Sequence, residues 1–232
     1  MASLTAVAAE DIKPQAYFYL GKFQPFHNGH LNVLTQMVRQ AEKDNARVFL
    51  FSTKTREPKK KHPIPPEKKE EMLQEMLNEN FPEIEIEFKM VKDIIDATKE
   101  LANQNITHAK IMAGDDRVQA YMKIGRKRYN GVYFTVSPID RKKDNISGTG
   151  IRYKILRGEN VDSDVNKVYK PETITELSDI IQAVAHQQDR HTRKASGSKT
   201  KKNGGGKRPK THRRRRRRTP RRRRRTRRYN II

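Results

Sequence analysis

Short apolar runs alternate with segments of helical periodicity between residues 16 and 155. The first run, residues 16–20, is apolar or aromatic at every position, as expected for a strand that is covered on both faces. A helix is predicted to begin near Gly29, because apolar residues then recur three or four positions apart. This alternation is typical of a parallel sheet with crossover helices.

Four more strands follow in the same pattern. The apolar runs predict them at residues 47–51, 84–88, 109–113 and 132–136, with helices at 67–78, 94–104, 117–124, 146–156 and 172–185. Residues 84–88 alternate strictly between apolar and polar, so we expect this strand to show one face to water near an edge. The five units predict an α/β fold, a Rossmann-like doubly wound parallel sheet.

Charge divides the chain unevenly. The 232 residues include 51 Lys and Arg against 27 Asp and Glu, and residues 191–232 alone contain 21 of the basic residues and no acidic one. Glycine- and serine-containing stretches followed by an arginine block cannot form a core. We therefore expect an N-terminal extension (1–15), a domain (16–188) and a disordered basic tail (189–232), with the folded domain itself near neutrality.

Composition excludes several kinds of chemistry. The chain has no cysteine, which excludes disulfides, thiolate zinc sites and a cysteine nucleophile. No run approaches the roughly 18 apolar residues of a membrane span, and the first residues make a poor signal peptide. We expect a soluble intracellular protein, in the cytoplasm or the nucleus.

A histidine pair follows the first predicted strand directly. The chain reads His27-Asn28-Gly29-His30 at a predicted helix start, where backbone N–H groups and the helix dipole favour anions. Gly29 lets a phosphate approach the backbone, and each imidazole can donate a hydrogen bond to a phosphoryl oxygen. Taken alone, the segment is as consistent with an exposed helix that carries two incidental histidines.

A second segment after the fifth strand has similar chemistry. Residues 146–152 read Ile-Ser-Gly-Thr-Gly-Ile-Arg at another predicted helix start, so Ser147 and Thr149 place hydroxyl groups there and Arg152 follows one turn later. The planar guanidinium suits a di- or triphosphate. Taken alone, Ser147 is better explained as a helix cap and Arg152 as a solvated charge.

Together the two segments resemble the HxGH nucleotidylyltransferase superfamily, whose marks are HxGH after the first strand and ISxTxxR after the fifth. Residues 62–76 and 113–117 also look like the family's segments after its second and fourth strands. The resemblance implies the strand order 3-2-1-4-5, with the nucleotide at the switch point between strands 1 and 4.

The resemblance also implies a set of site residues. His27, His30, Gly29 and the backbone near Lys22 and Phe23 would hold the phosphates, and Ser147, Thr149 and Arg152 would close over the β and γ groups. Asp115 would face the acceptor or nucleotide, or else cap a helix. Lys54 could reach the β/γ phosphates or remain a solvated charge. His62 and His108 are interpreted as incidental loop histidines.

We find no catalytic triad, general-base pair or metal-ligand cluster around the motifs, which favours direct in-line attack by the acceptor phosphate on an NTP, with Mg²⁺ accompanying the triphosphate. The motifs look most like those of archaeal-type nicotinamide-mononucleotide adenylyltransferases, which make NAD from ATP. Members commonly stack the nicotinamide ring on a tryptophan, and this chain has none, so a Phe or Tyr would have to substitute. Phosphopantetheine, sugar, polyol or amine phosphates, and CTP as donor, stay open.

The basic tail leaves further alternatives. Residues 191–232 could fix the protein to nucleic acid or another polyanion, serve as a nuclear signal, or condense nucleic acid in a viral particle. The fold could also be only a scaffold for a nucleic-acid-binding protein, although the intact histidines and Arg152 argue against this.

Overall fold

A computed structural model describes residues 13–54, 58–139 and 146–197, and their side chains except those of residues 115–116 and 193–197. The chain divides into two compact units, Met1–Arg193 and Lys194–Ile232. Of the second unit, only the backbone of residues 194–197 is described, in the last turn of a helix. The fold below is that of the first unit.

Five parallel strands form one sheet in the order 3-2-1-4-5, as predicted. The strands are β1 (Ala16–Gly21), β2 (Arg47–Thr53), β3 (Ile86–Val91), β4 (His108–Gly114) and β5 (Tyr133–Ile139). The central strand β1 is buried on both faces, and its neighbours are β2 and β4. Connections run outward from β1 in one direction and from β4 in the other, so a crevice opens between the carboxyl ends of these two strands.

Seven helices are described. They are α1 (Asn28–Asp44), α2 (Pro66–Asn80), α3 (Ile94–Asn103), α4 (Asp115–Gly125), α5 (Gly148–Leu156), α6 (Asp162–Val165) and α7 (Pro171–Gly197), and a 3₁₀ turn covers Tyr129–Gly131. Local chemistry explains several of their ends. Asp93 caps α3 by accepting from the backbone N–H of Ile95 and Asp96, and Pro66 occupies the first turn of α2, where its missing N–H costs nothing.

The two faces of the sheet have separate cores. Alternate residues of β1 supply both: Tyr17 and Tyr19 pack with α1, α2, α5 and α7, whereas Phe18 packs with α3 and α4. The Phe18 ring lies edge-on to Phe51 and Phe134, with centroids 6.1 and 5.4 Å away. The doubly covered sheet explains why the first strand is uniformly apolar.

The edge position of β3 is confirmed, since it pairs only with β2. The strand starts at Ile86 rather than Ile84, because the Ile84 N–H turns back to the Phe81 carbonyl (3.2 Å). The short helix α6 and the 3₁₀ turn carry no periodic pattern and were not predicted.

The last helix is longer than its periodicity indicates. It continues to Gly197 instead of ending near Ala185, because residues 186–195 contain neither Gly nor Pro and are rich in helix-favouring Gln, Arg, Lys and Ala. Residues 189–197, which were predicted to belong to the disordered tail, are therefore helical. Residues 198–232, and residues 1–12 of the predicted extension, lie outside the described residues.

Candidate nucleotide-binding site

The two histidines of the first motif lie against each other at the start of α1. His27 is the residue before the helix, with extended backbone, and its carbonyl accepts from the His30 N–H (2.8 Å). The two imidazoles stack, with centroids 3.7 Å apart and planes inclined by 28°. His27 is only 5% exposed, so it is buried although it directly precedes a helix. It borders a small cavity of about 150 Å³ together with Ile146 and Ser147 of the second motif.

Aromatic side chains surround the second histidine. The His30 ring lies 5.1 Å from Phe23, 5.2 Å from Phe26 and 6.1 Å from Tyr19. Phe23 occupies the left-handed backbone region (φ 46°), and its ring lies over Gly21, where a Cβ would come within 2.2 Å of it. The loop after β1 thus wraps a packed aromatic wall around His30, which limits the orientations of its imidazole.

The residue between the histidines anchors the motif. The Asn28 amide donates to the Ser163 carbonyl (3.0 Å) and to Asn166 Oδ1 (3.1 Å), and its Oδ1 accepts from the Lys167 N–H (3.2 Å). Asn28 is 6% exposed, so these bonds satisfy a buried amide. They fix the start of α1 to the segment around α6, a contact more than 130 residues distant in sequence.

The second motif packs directly on the loop after β1. Ser147 caps α5 by accepting from the Gly150 N–H (3.0 Å), and Arg152 donates both to the Gln24 carbonyl and to Thr149 Oγ1 (3.0 Å). A Cβ at Gly148 would lie 2.9 Å from the Gln24 carbonyl oxygen, so this close approach requires glycine. The two motifs are therefore neighbours across the crevice.

Two further side chains hold the same loop from the other side. The Gln24 amide pairs with the backbone of Ile64, donating to its carbonyl (3.0 Å) and accepting from its N–H (2.9 Å). Lys69, from α2, donates to the carbonyls of Lys22 (3.2 Å) and Thr53 (2.6 Å). Burial lowers the pKa of Lys69 to about 8. Gln24 and Lys69 were not among the predicted site residues. Both contact residues of other elements, and a local sequence pattern does not indicate such contacts.

A large cavity among the described residues, about 710 Å³, lies at the carboxyl ends of β1 and β4. Six of the predicted site residues line it: Lys22, Phe23, His30, Ser147, Thr149 and Arg152. His27 and Gly29 line the adjacent 150 Å³ cavity instead. Lys54 lines a third cavity of about 240 Å³ with Lys22 and His62. The side chain of Asp115 lies outside the described ones, although Gly114, which precedes it, lines the large cavity.

His62 lies at the candidate site, although the sequence led us to interpret it as an incidental loop histidine. It lines both the large cavity and the 240 Å³ cavity, and its Nδ1 is buried without a described hydrogen-bond partner. Burial, and then the charges of Lys22, Arg152, Lys69 and Lys61, lower the pKa of His62. His108, by contrast, lies at the amino end of β4, where its Nδ1 contacts Thr107 Oγ1 (3.0 Å), far from the crevice.

The charge of the large cavity has one sign. No Asp or Glu is among the described side chains that line it. Five cationic side chains do so: Lys22, Lys60, Lys61, Arg117 and Arg152. A concave site lined by one sign of charge concentrates ligands of the other. This crevice therefore suits a polyphosphate.

Comparisons with known proteins agree with this geometry. A family model described as cytidylyltransferase-like matches residues 18–202, so the chain belongs to that family, the HxGH nucleotidylyltransferases. No curated protein sequence matches the chain significantly.

Two solved structures are similar in fold. One is a bifunctional NMN adenylyltransferase/ADP ribose pyrophosphatase from Francisella tularensis, with a TM-score of 0.53 at 17% identity over 81% of this chain and 57% of that one. The other is a putative nicotinate-nucleotide adenylyltransferase from Vibrio parahaemolyticus, with a TM-score of 0.50 at 12% identity over 72% of this chain and 97% of that one. This chain thus spans little more than half of the Francisella protein. Within the described residues, no helix is long and apolar enough to cross a membrane.

The buried ammonium of Lys69 leads to a prediction about pH. Its folded-state pKa of about 8 lies below the ordinary 10.5, so the unfolded chain binds more protons between these values and stability must rise with pH across that window. Relative to Lys69→Met, the wild type should gain on the order of 3 kcal/mol from pH 8 to pH 10.5, because one pKa unit corresponds to about 1.4 kcal/mol. Chemical unfolding at several pH values measures this difference.

Lys68→Met is the matched control. Hydrogen bonds to Glu176 and Glu71 raise the pKa of Lys68, so its stabilising contribution is fully present below its ordinary pKa of 10.5 and is lost only above that value. Parallel stability curves for the wild type and Lys69→Met between pH 8 and 10.5 would contradict a buried, charged Lys69.

Proposed function

We propose that this protein transfers a nucleotidyl group from an NTP to a small phosphorylated acceptor and releases pyrophosphate. The best candidate reaction is transfer of AMP from ATP to nicotinamide mononucleotide, which gives NAD. The observation that carries the proposal is the convergence of the HxGH and ISxTxxR segments on one cationic cavity at the switch point of the sheet. In open α/β sheets this is where ligands bind.

The residues suit an in-line displacement. An oxygen of the acceptor phosphate attacks the α-phosphorus, the bond from that phosphorus to the α–β bridging oxygen breaks, and pyrophosphate leaves with the negative charge. His27 and His30 would donate hydrogen bonds to the phosphoryl oxygens, and Thr149 and Arg152 to the leaving group. Such fixed donors contribute most where charge develops in the transition state. The aromatic wall and the stacked rings keep His30 positioned before substrate arrives.

Magnesium is expected to enter with the nucleotide. No group of three or more His, Cys, Asp or Glu among the described side chains could hold a metal ion. We propose that Mg²⁺ binds as part of the NTP substrate, through its phosphate oxygens.

The acceptor follows from resemblance more than from geometry. The two motif segments look most like those of nicotinamide-mononucleotide adenylyltransferases, and both fold neighbours carry adenylyltransferase names. Phosphopantetheine and sugar, polyol or amine phosphates are the alternative acceptors, and CTP the alternative donor. A pyrophosphate-release screen of ATP and CTP against these acceptors tests the proposal. Release with none of the pairs would favour the alternative in which the fold is only a scaffold for nucleic-acid binding.

His30→Ala and His27→Ala should each lower kcat by about a hundredfold or more, the scale on which one transition-state donor contributes. His27→Ala should also lower the free energy of unfolding, because His27 is 5% exposed and stacks on His30. Steady-state kinetics and chemical unfolding separate the two effects. His108→Ala, at the opposite end of the sheet, is the control and should retain activity. Near-normal turnover in both motif variants would refute the proposed mechanism.

Arg152→Lys should lower kcat/KM for the nucleotide by roughly tenfold or more, the loss expected for one charge-assisted hydrogen bond. A lysine keeps the charge but cannot contact the Gln24 carbonyl, Thr149 and a phosphate with one planar fork. Arg157→Lys, an exposed position on the turn that ends α5, is the control. An unchanged kcat/KM in Arg152→Lys would show that Arg152 is only a structural cation.

The basic C-terminal segment is proposed to bind nucleic acid or another polyanion independently of catalysis. Removing residues 198–232 keeps α7 whole, deletes nineteen Lys and Arg residues and removes no acidic residue or motif residue. The truncated protein should retain nucleotidylyl transfer and lose tight binding to DNA and RNA.

The full chain's affinity for DNA should fall steeply between about 50 and 200 mM salt, with a slope near −0.9 per phosphate neutralised. Equal binding by the truncated form would place the contact on the α/β domain. Loss of transfer activity on truncation would contradict the proposed division of labour.

A further inference from the structure

One helix of the cavity presents apolar side chains to solvent. Among the described residues, two large apolar side chains are exposed, Tyr153 (61%) and Leu156 (44%). Both are on α5 and both line the 710 Å³ cavity. Residues three apart on a helix share a face, so the two form one shelf, here called the α5 shelf.

Neighbouring residues of α5 contact other parts of the protein. Ile151 and Ile155 are buried in the core beneath the helix, with 1% and 3% exposure. Lys154 pairs with Asp164 of α6 (2.5 Å). The helix is therefore well packed on its core side, and the exposure of the shelf does not reflect poor packing of α5.

The cavity has two chemically different parts. Its phosphate-suited part comprises Lys22, His30 and Arg152. The apolar lining also includes Met112, Ala113 and Tyr121, each no more than 7% exposed, and the Tyr121 hydroxyl lies 3.4 Å from Arg117 Nη1. A ligand that contacts both kinds of lining would join an anionic group to an apolar group.

We propose that the α5 shelf binds the planar heteroaromatic ring of a nucleotide by stacking on Tyr153, with Leu156 extending the contact. The proposal rests on the proposed function in taking the ligand to be a nucleotide. The ring can come from the donor NTP or from the acceptor, and the two sources share the same chemistry. Stacking of a base on an aromatic side chain strengthens binding by about fivefold to a hundredfold.

The position of the shelf supports the assignment. Tyr153 directly follows Arg152, whose guanidinium contacts the Gln24 carbonyl and Thr149 at the phosphate-suited part of the cavity. The chain lacks tryptophan, so its aromatic stacking surfaces are the rings of Phe, Tyr and His. Tyr153 is the aromatic residue of the cavity wall with the largest exposed area, whereas Tyr19, Phe23 and Tyr121 are buried.

Calorimetric binding to matched ligand pairs tests the shelf without requiring turnover. The pairs are ATP with inorganic tripolyphosphate, and nicotinamide mononucleotide with ribose 5-phosphate, so that the members of each pair differ by a ring-bearing part. Tyr153→Ala should weaken the ring-bearing member of at least one pair by about tenfold, within the range of base stacking, and change its ringless partner by less than about twofold. Tyr153→Phe should retain affinity, and Leu156→Ala should show a smaller loss. A selective loss for ATP assigns the donor base to the shelf, and one for nicotinamide mononucleotide assigns the acceptor base.

Tyr129→Ala, a half-buried tyrosine outside the cavity, is the control for loss of an aromatic ring. Equal losses within a pair, no loss in either pair, or a wild type that binds ring-bearing and ringless ligands alike would overturn the proposal. So would a dimer in sedimentation that Tyr153→Ala dissociates while ring affinity is unchanged, because the shelf would then bind a second copy. Ring-dependent binding without pyrophosphate release in any reaction would leave the shelf standing and reject the proposed catalysis.

Discussion

The candidate site depends on the loop between β1 and α1 being held in one conformation by side chains from other elements. Gln24 is its central residue: its carbonyl accepts from Arg152, and its amide pairs with the backbone of Ile64. Lys69 fixes the neighbouring Lys22 carbonyl. Buried polar groups need such partners, so displacing the loop would leave several of them unsatisfied at once. The histidines that follow are thereby placed at the crevice by a network rather than by the helix alone.

This network concentrates positive charge in a partly dry place. The Lys69 ammonium is 2% exposed and its hydrogen-bond partners are neutral carbonyls, and its charge joins those of Lys22 and Arg152 in lowering the pKa of His62. Burying cations without carboxylates is costly, and it suppresses protonation of a nearby imidazole. An anionic ligand offsets that cost, whereas a neutral one does not. The positive charge of the site therefore favours anionic ligands such as phosphates, independently of any specific contact.

Sequence reasoning predicted the five strands and the doubly wound class from apolar runs and helix starts, and the strand order and the meeting of the two motifs from the family resemblance. It did not identify His62 or Gln24 as site residues, or Asn28 as an anchor of the first motif. The partner of Gln24 is 40 residues away and the partners of Asn28 are more than 130 residues away, and the position of His62 depends on how its loop folds. It also placed the end of α7 too early, since an exposed helix of Gln, Arg and Lys has no apolar period to detect. The side-chain role of Asp115 stays a prediction.

Backbone and side chains constrain different parts of a bound substrate, and this limits what a fold comparison indicates about which substrates bind. In the proposed reaction, the phosphates would be placed mainly by helix starts and by the close approach of α5 to the loop after β1, which a glycine at position 148 permits. Backbone features of this kind can persist between structures that share only 12–17% identity. In the proposed reaction, the remainder of a substrate would contact side chains of α4 and α5, such as Tyr121 and Tyr153, which a fold comparison does not constrain. Changes at these side chains should therefore alter the affinity for the nucleotide ring that binds there, from donor or acceptor, while leaving the phosphate chemistry intact.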